Sequence, residues 1–361
     1  MSKIVVAMSG GVDSSVAAAL LKEQGHEVSG MMLRLWSQPG KESENACCTL
    51  ESVSLAEQVA RQLGIPFRTV DAKQPFREIV VEYFLESHLR GETPNPCLMC
   101  NRHIRWGILL EEAQKLGADY LATGHYVRTR EKDGVIQLLR GVDKGKDQAY
   151  VLHVLNQAQL NRSLFPIGAY PKSEIRAMAR RFNLPVAEKA DSQDLCFLSG
   201  GDYRDFLREY APESIQVGEI RNRKGEVLGK HQGLANYTIG QRKGLGISSP
   251  HPLYVLAKNQ RENLLIVGEK AELGQKTMRV TNVNWISRVV PAEKFRAQVK
   301  IRYTAREAWA EIEPIHVELS SAEVSVTFDE PLRDITPGQA AVFYDGEVCL
   351  GGGMIKIANL R

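Results

Sequence analysis

The first two hundred residues alternate two kinds of apolar pattern. Short aliphatic runs at 3–7, 27–33, 67–70 and 120–124 read as buried strands. Between them, segments 15–24, 50–63, 77–89 and 104–116 carry apolar residues three and four positions apart, the spacing of a helix with one buried face. Strand and helix in alternation predict an α/β domain built on a doubly wound parallel sheet. Two further helices, near 173–182 and 202–210, finish this region, and the polar stretch 37–45 reads as a loop.

Beyond about residue 212 the period changes to two. Runs at 220–228, 253–257, 264–267, 277–283, 296–303 and 323–328 predict strands, with Gln298-Val299-Lys300-Ile301-Arg302-Tyr303 alternating throughout. Asp345-Gly346, between the strand-like runs 340–344 and 347–350, signals a hairpin. Closure into a small β-barrel or sandwich is the expected solution for the C-terminal stretch.

Composition narrows this only modestly. A chain of 361 residues, 43% of them hydrophobic, has room for two or three domains with real cores. Its formal net charge of +3 does not announce nucleic-acid binding, but it allows a local basic face. No apolar run approaches the length of a membrane span, and Met1-Ser2-Lys3 leads directly into a strand rather than a secretory signal. The expectation is a cytoplasmic protein with no membrane attachment, whose thiols stay reduced unless they react or bind metal.

The densest local signal follows the first strand, where Ser9-Gly10-Gly11-Val12-Asp13-Ser14-Ser15 leads into a helical run. Glycines let the backbone approach an anion, Ser14 and Ser15 offer hydroxyls, and the first N–H groups of a helix favour phosphate. No Gly-Lys-Ser/Thr follows, so this is not a kinase-type phosphate loop. An Asp inside the turn suggests Mg²⁺ held against pyrophosphate, and hence ATP cut between its α and β phosphates. An ordinary strand–turn–helix connection is the plainer alternative.

Six cysteines occur: Cys47, Cys48, Cys97, Cys100, Cys196 and Cys349. Cys97 and Cys100 lie in GETPNPCLMCNRHIRW, whose two prolines predict a shaped loop before a helix that starts near Asn101 or Arg102. The helix dipole and the Arg cations would lower the pKa of a nearby thiol, and a thiolate is a nucleophile or a metal ligand. Structural zinc needs four ligands and no second Cys-x-x-Cys exists, so Cys47-Cys48 or Cys196 would have to complete a zinc or iron–sulfur site. Cys196 stands in a polar loop beside Phe197 and Leu198, where its plain reading is a small buried residue; Cys349 reads as core.

In their order along the chain these motifs resemble those of the bacterial tRNA-specific 2-thiouridylases. The likeness rests on SGGVDSS at 9–15, TPNPCLMCN at 93–101, ATGHY at 122–126, KDQAY at 146–150 and LFPIG at 164–168. It continues through DSQDLCF at 191–197, TIGQRKGLGI at 238–247 and TPGQAAVFYDGEVCLGGG at 336–353, so it spans essentially the whole chain. The resemblance implies an ATP-pyrophosphatase domain over 1–210, a small central tRNA-contacting domain over 211–274 and a C-terminal β-barrel over 275–361. It implies that Ala7, Met8, Ser9, Gly10, Gly11, Val12, Asp13 and Ser14 hold ATP with Mg²⁺, and that Leu33 and Gly124 border the adenosine. Leu33 stands where the family commonly has Met. Cys100 matches the family's nucleophile and Cys196 its persulfide carrier. Asn95, Pro96, Cys97, His125, Lys146, Asp147, Gln148, Arg302, Tyr303 and Gln339 fall where the family contacts tRNA. One departure stands out: many members have Asp where this chain has Cys97. It makes an iron–sulfur cluster on Cys97, Cys100 and Cys196 an alternative, with one iron left open to sulfide.

The implied reaction has clear chemical needs. AMP transferred to the C2 oxygen of the wobble uridine makes a good leaving group, and pyrophosphate must be neutralised as it departs. Sulfur must then arrive in a site closed to water, with the base drawn out of the anticodon loop. A persulfide on Cys196, loaded by a sulfur-relay protein or a cysteine desulfurase, attacks C2. Cys100 then cleaves the sulfur–sulfur bond and leaves a Cys100–Cys196 disulfide, or it releases hydrogen sulfide first. Competing readings are another ATP-pyrophosphatase ligase or amidotransferase, of argininosuccinate synthase or GMP synthetase type, and a non-catalytic RNA-binding or sulfur-carrier protein.

Overall fold

The computed structural model describes residues 1–40, 49–190, 195–198 and 201–356. Cys47, Cys48, most of the loop expected at 37–45, and the DSQD part of the second cysteine motif lie outside them. Strands β1 (Lys3–Ala7), β2 (Glu27–Arg34), β3 (Phe67–Asp71), β4 (Tyr120–Ala122) and β5 (Ser163–Leu164) form a parallel sheet in the order β3-β2-β1-β4-β5. Successive side chains on β1 point to opposite faces. Ile4 and Val6 pack on α1 (Val12–Glu23), α2 (Leu50–Leu63) and α5 (Lys172–Arg181), meeting Val16, Ala56, Val59, Ile175 and Ala179. Val5 faces α3 (residues 73–89) and α4 (residues 96–115), meeting Phe76, Val80, Ile104 and Leu109. The sheet is therefore doubly wound as predicted, and its order turns back between β1 and β4. The loops leaving those two strands meet at their carboxyl ends, the usual ligand position in such sheets.

A second, four-stranded sheet (Gly218–Arg221, Val227–His231, Tyr254–Asn259, Leu264–Gly268) covers a small core of Ile220, Val255, Leu265 and Val267. The run expected as one strand over 220–228 is two. Asn222 Oδ1 accepts from the N–H groups of both Lys224 and Glu226, and that side-chain turn reverses the chain. Six C-terminal strands from Gln275–Trp285 to Val348–Lys356 close into a barrel by pairing the last with the first, Arg279 opposite Lys356. Val280, Val299, Ile312, Val326 and Phe343 fill it. One barrel strand, Ala308–His316, was not foreseen: it buries little besides Ala310 and Ile312, and its Trp309 is 49% exposed.

The strand–helix alternation also gives no notice of a hairpin at Val127–Lys132 and Val135–Arg140. It adds to the barrel's edge, with Leu139 opposite Val348 and Leu138 opposite Cys349, so the first and last regions share one eight-stranded sheet. The Arg140 guanidinium lies 3.7 Å over the Tyr344 ring and pairs with Glu307 at 2.7 Å, fastening this junction.

Candidate functional site

The turn after β1 is built by its own residues. Gly10 has φ +68°, and a Cβ there would sit 2.3 Å from the Ser52 carbonyl oxygen of α2. Only glycine satisfies both the left-handed backbone and that approach. The Ser9 N–H donates to Ser14 Oγ at 3.1 Å, which draws the turn around the start of α1. Ser15 corrects an expectation: its hydroxyl donates back to the Gly11 carbonyl at 2.8 Å and is fully buried, so it faces the turn rather than an anion. Gly124, just past β4, presses on the same place, where a Cβ would lie 2.7 Å from the Ser14 nitrogen. The structure thus gathers Ala7, Met8, Ser9, Gly10, Gly11, Val12, Asp13, Ser14 and Gly124. Leu33 is buried near the end of the neighbouring strand β2.

Asp13 is held by partners from far along the chain. Lys172 Nζ donates to both carboxylate oxygens, at 2.7 and 2.9 Å, and the Tyr126 hydroxyl donates to one of them at 2.6 Å. Lys189 Nζ donates to the Gly10 carbonyl at 3.1 Å. The pattern of the chain carries no signal for Lys172 or Lys189. Tyr126 stood within the ATGHY motif without an assigned role. Among the described residues no group of three or more His, Cys, Asp or Glu side chains is placed to hold a metal ion.

The helix carrying the paired thiols starts earlier than predicted. Asn95 Oδ1 accepts the Cys97 N–H at 3.1 Å, and Pro96 occupies the first helical position, where its missing N–H costs nothing. Proline here begins the helix rather than delaying it to Asn101. Cys97 is therefore an exposed residue of the first turn, while Cys100 is buried one turn further on, beyond the strongest part of the helix dipole. From Cys100 to Leu109 the helix is wound wider, with five-residue hydrogen-bond spacing, a form common at functional sites. Cys196 is half-buried and precedes Phe197, whose ring meets Phe76, Phe84 and Phe206 edge-on. Cys100 and Cys196 border one apolar cluster. Cys349 lies in the core as expected, and burial pushes its thiol pKa far up.

The positions matched to RNA contact fall into two groups. Around the start of α4, the Thr93 N–H donates to the Pro337 carbonyl at 2.9 Å and Gln339 Nε2 donates to the Thr93 carbonyl at 2.8 Å. Lys356 pairs with Glu92 at 2.6 Å. This brings the barrel turn at Gln339 against the segment that carries Asn95, Pro96 and Cys97. Tyr303, 38% exposed, meets Tyr150 edge-on, and Arg302 donates to the Ile239 carbonyl at 3.1 Å and to the Thr336 hydroxyl. The second group lies beside the turn after β1. His125 is buried between the Thr123 hydroxyl at 2.8 Å and Arg105 at 3.0 Å; burial and then the Arg105 charge pull its pKa well below the usual value. Asp147 turns inward to accept the N–H groups of Gly141 and Ala149, and Gln148 Oε1 accepts the Tyr126 N–H at 2.9 Å. Lys146 on the same loop is half-buried.

Three family models cover nearly the whole chain: a tRNA methyl transferase HUP domain over residues 2–200, a tRNA methyl transferase PRC-barrel domain over 204–269, and an aminomethyltransferase β-barrel domain over 275–355. The tRNA-specific 2-thiouridylase MnmA 1 of Caldanaerobacter subterraneus subsp. tengcongensis is 46% identical over 360 residues, 98% of both chains. The tRNA-specific 2-thiouridylase MnmA of Moorella thermoacetica is 47% identical over 357 residues, 98% of this chain and 99% of that one. That of Geobacter metallireducens is 46% identical over 362 residues, 99% and 97% of the two chains. Among solved structures, a 4-thiouridine synthetase in complex with RNA and ATP has a TM-score of 0.37 and 16% identity over 59% of this chain and 51% of that one, too distant to bear on function.

Proposed function

The chain belongs to the family of the tRNA-specific 2-thiouridylases, and on that premise we propose that it is an ATP-dependent tRNA sulfurtransferase acting on C2 of the wobble uridine. The observation that carries this reading is the pairing of two features in one chain. A glycine turn with Asp13 stands at the carboxyl end of β1 in a doubly wound sheet, and two thiols, Cys100 and Cys196, border one apolar cluster. We assign the nucleotide chemistry to 1–210, and tRNA contact to 211–274 and the barrel of 275–361 together with the Asn95–Cys97 and Lys146–Gln148 positions.

ATP sits with its phosphates on the turn and the first N–H groups of α1. The uridine C2 oxygen takes AMP, and pyrophosphate departs against Lys172 and Lys189. The terminal sulfur of a Cys196 persulfide attacks C2 and AMP leaves. The Cys100 thiolate then attacks Cys196 Sγ, which frees 2-thiouridine and leaves the two cysteines as a disulfide. The turn fits Mg²⁺ of the kind held by one carboxylate and substrate phosphates, with Asp13 as that carboxylate. When bound, the ion supplies charge for the leaving pyrophosphate. An iron–sulfur cluster on Cys97, Cys100 and Cys196 is less well supported, because Cys97 faces outward while Cys100 is buried. The sulfur donor is a persulfide-bearing relay protein or desulfurase, and the setting is the cytoplasm. No helix among the described residues is long and apolar enough to cross a membrane.

Family-model descriptions speak of methyl transfer, whereas the relatives' names speak of thiolation. Methyl transfer gives the pyrophosphate turn nothing to do, so we favour thiolation. The test combines the protein with ATP, unmodified tRNA and a persulfide donor, followed by mass spectrometry of the nucleosides. Expected are 2-thiouridine and pyrophosphate, the latter only with tRNA present, from iron-free protein. Methylated uridine, or pyrophosphate release indifferent to tRNA, overturns the reading; thiolation only by iron-loaded protein overturns the persulfide route.

A further inference from the structure

Both side chains that hold Asp13 are fastened to one loop. While the Lys172 ammonium reaches Asp13, its backbone N–H donates to Asp143 Oδ2 at 3.0 Å. While the Tyr126 hydroxyl reaches Asp13, its backbone N–H donates to Gln148 Oε1 at 2.9 Å, and the Gln148 N–H returns to the Tyr126 carbonyl at 3.1 Å. Asp143 and Gln148 stand toward opposite ends of the segment 141–148. Asp147 ties that segment shut through the Gly141 and Ala149 N–H groups, and Asp143 Oδ1 accepts the Gly145 N–H at 2.9 Å. Lys146 and Gln148, which the proposed function places against tRNA, flank the inward-turned Asp147 in this same loop.

We propose that Asp143 is a positioning residue that makes the nucleotide site answer to tRNA. Lys172 neutralises Asp13, the carboxylate that would hold a divalent cation. A loop that shifts under bound RNA carries the Lys172 backbone with it through Asp143, releasing Asp13 to the cation and the ammonium to phosphate. Small displacements matter here because a charge pair at this distance is steeply sensitive to separation and to water. The coupling is reciprocal, so nucleotide also tightens the loop's hold on RNA. This inference rests on the function proposed above.

The test uses the full chain with Asp143→Ala, which removes the acceptor of the Lys172 N–H and leaves every proposed binding residue in place. Two quantities are read: the ATP-induced shift in melting temperature without tRNA, and pyrophosphate release with and without unmodified tRNA. The expected result is an unchanged ATP shift, with the tRNA stimulation of pyrophosphate release reduced about 3- to 30-fold, the usual range for coupling residues. Asp143→Asn, whose amide oxygen still accepts one of the two N–H groups, is expected to retain part of the stimulation and serves if the Ala variant does not fold. Full stimulation in these variants overturns the coupling alone. Loss of the ATP shift also overturns it, because Asp143 would then serve nucleotide binding itself. A wild-type protein whose pyrophosphate release ignores tRNA instead removes the function beneath the proposal.

Discussion

The nucleotide turn and the thiol site are built in opposite ways. Ser9, Gly11, Ser14 and Ser15 close the turn through bonds spanning five residues or fewer, and distant residues only press on or bond to a loop already shaped, as Ser52 and Lys189 do at Gly10. The thiol site has no such self-sufficiency. Cys97 and Cys100 begin a helix that the barrel steadies through Pro337, Gln339 and Lys356, while Cys196 is set by Phe197 wedged among α3 and residues beyond 200. In the function proposed above, the site for a common cosubstrate is a local fold element, and the site that closes around a macromolecule's base is assembled from several parts, which lets docking of one part change another.

The contrast predicts that thiol variants abolish product while sparing the turn. Cys100→Ser and Cys196→Ser are each expected to cut 2-thiouridine formation at least about 10³-fold, as loss of a nucleophile does, with ATP binding unchanged by calorimetry. Residual thiolation near wild type in either would break the assignment. Next in size, Lys172→Met leaves Asp13 without its ammonium and is expected to slow pyrophosphate release about 10²-fold in a phosphate-release assay. An unaltered rate would detach Lys172 from the chemistry.

Stability separates the two regions further. Gly10→Ala forces a left-handed φ on a residue with Cβ and costs about 1–3 kcal/mol from strain alone, with the collision against Ser52 added. Urea melts measure it, and a neutral substitution would mean the turn is not closed as described. Acid acts on both, since His125 beside the turn is also held well below its usual value by burial and then Arg105. Burial, and then Lys258, takes His88 down to about 3, and burial takes His153 down to about 4. Their folded values lie below the unfolded value near 6.5, so the unfolded chain binds more protons. Their contribution is complete above about pH 6.5 and lost on acidification toward those values, at about 1.4 kcal/mol per pH unit for each. Urea midpoints that do not move between pH 7 and 5 would contradict the buried neutral rings. Smallest, Gln339→Ala removes one bond to the Thr93 carbonyl, worth about 1 kcal/mol, and is expected to speed alkylation of Cys97 without unfolding the chain.

What the sequence disclosed follows the same division. The strands around the turn, the helix 50–63 and the barrel hairpin at Asp345-Gly346 announce themselves through periodicity and turn chemistry confined to neighbouring residues. Lys172 does not, because its partner Asp13 is 159 residues away and a lysine near a helix start has many ordinary uses. Pro96 was misread because proline stops a helix that precedes it but also starts one at the first position. The hairpin at 127–140 stayed hidden since its outer residues are charged and its partner strand is the barrel's last. Motif resemblance located Cys100 and Cys196, yet the junction that holds them is a property of three-dimensional contact alone.

In the proposed reaction, sulfur reaches an ATP-activated uridine from Cys196. The direct measurement loads ³⁴S onto the protein from a persulfide donor, removes the donor, and adds ATP and unmodified tRNA for a single turnover. The account predicts ³⁴S in 2-thiouridine, one AMP released per sulfur transferred, and no transfer from Cys196→Ser. Label that stays on the protein after ATP and tRNA are added, or equal transfer from Cys196→Ser, would contradict it.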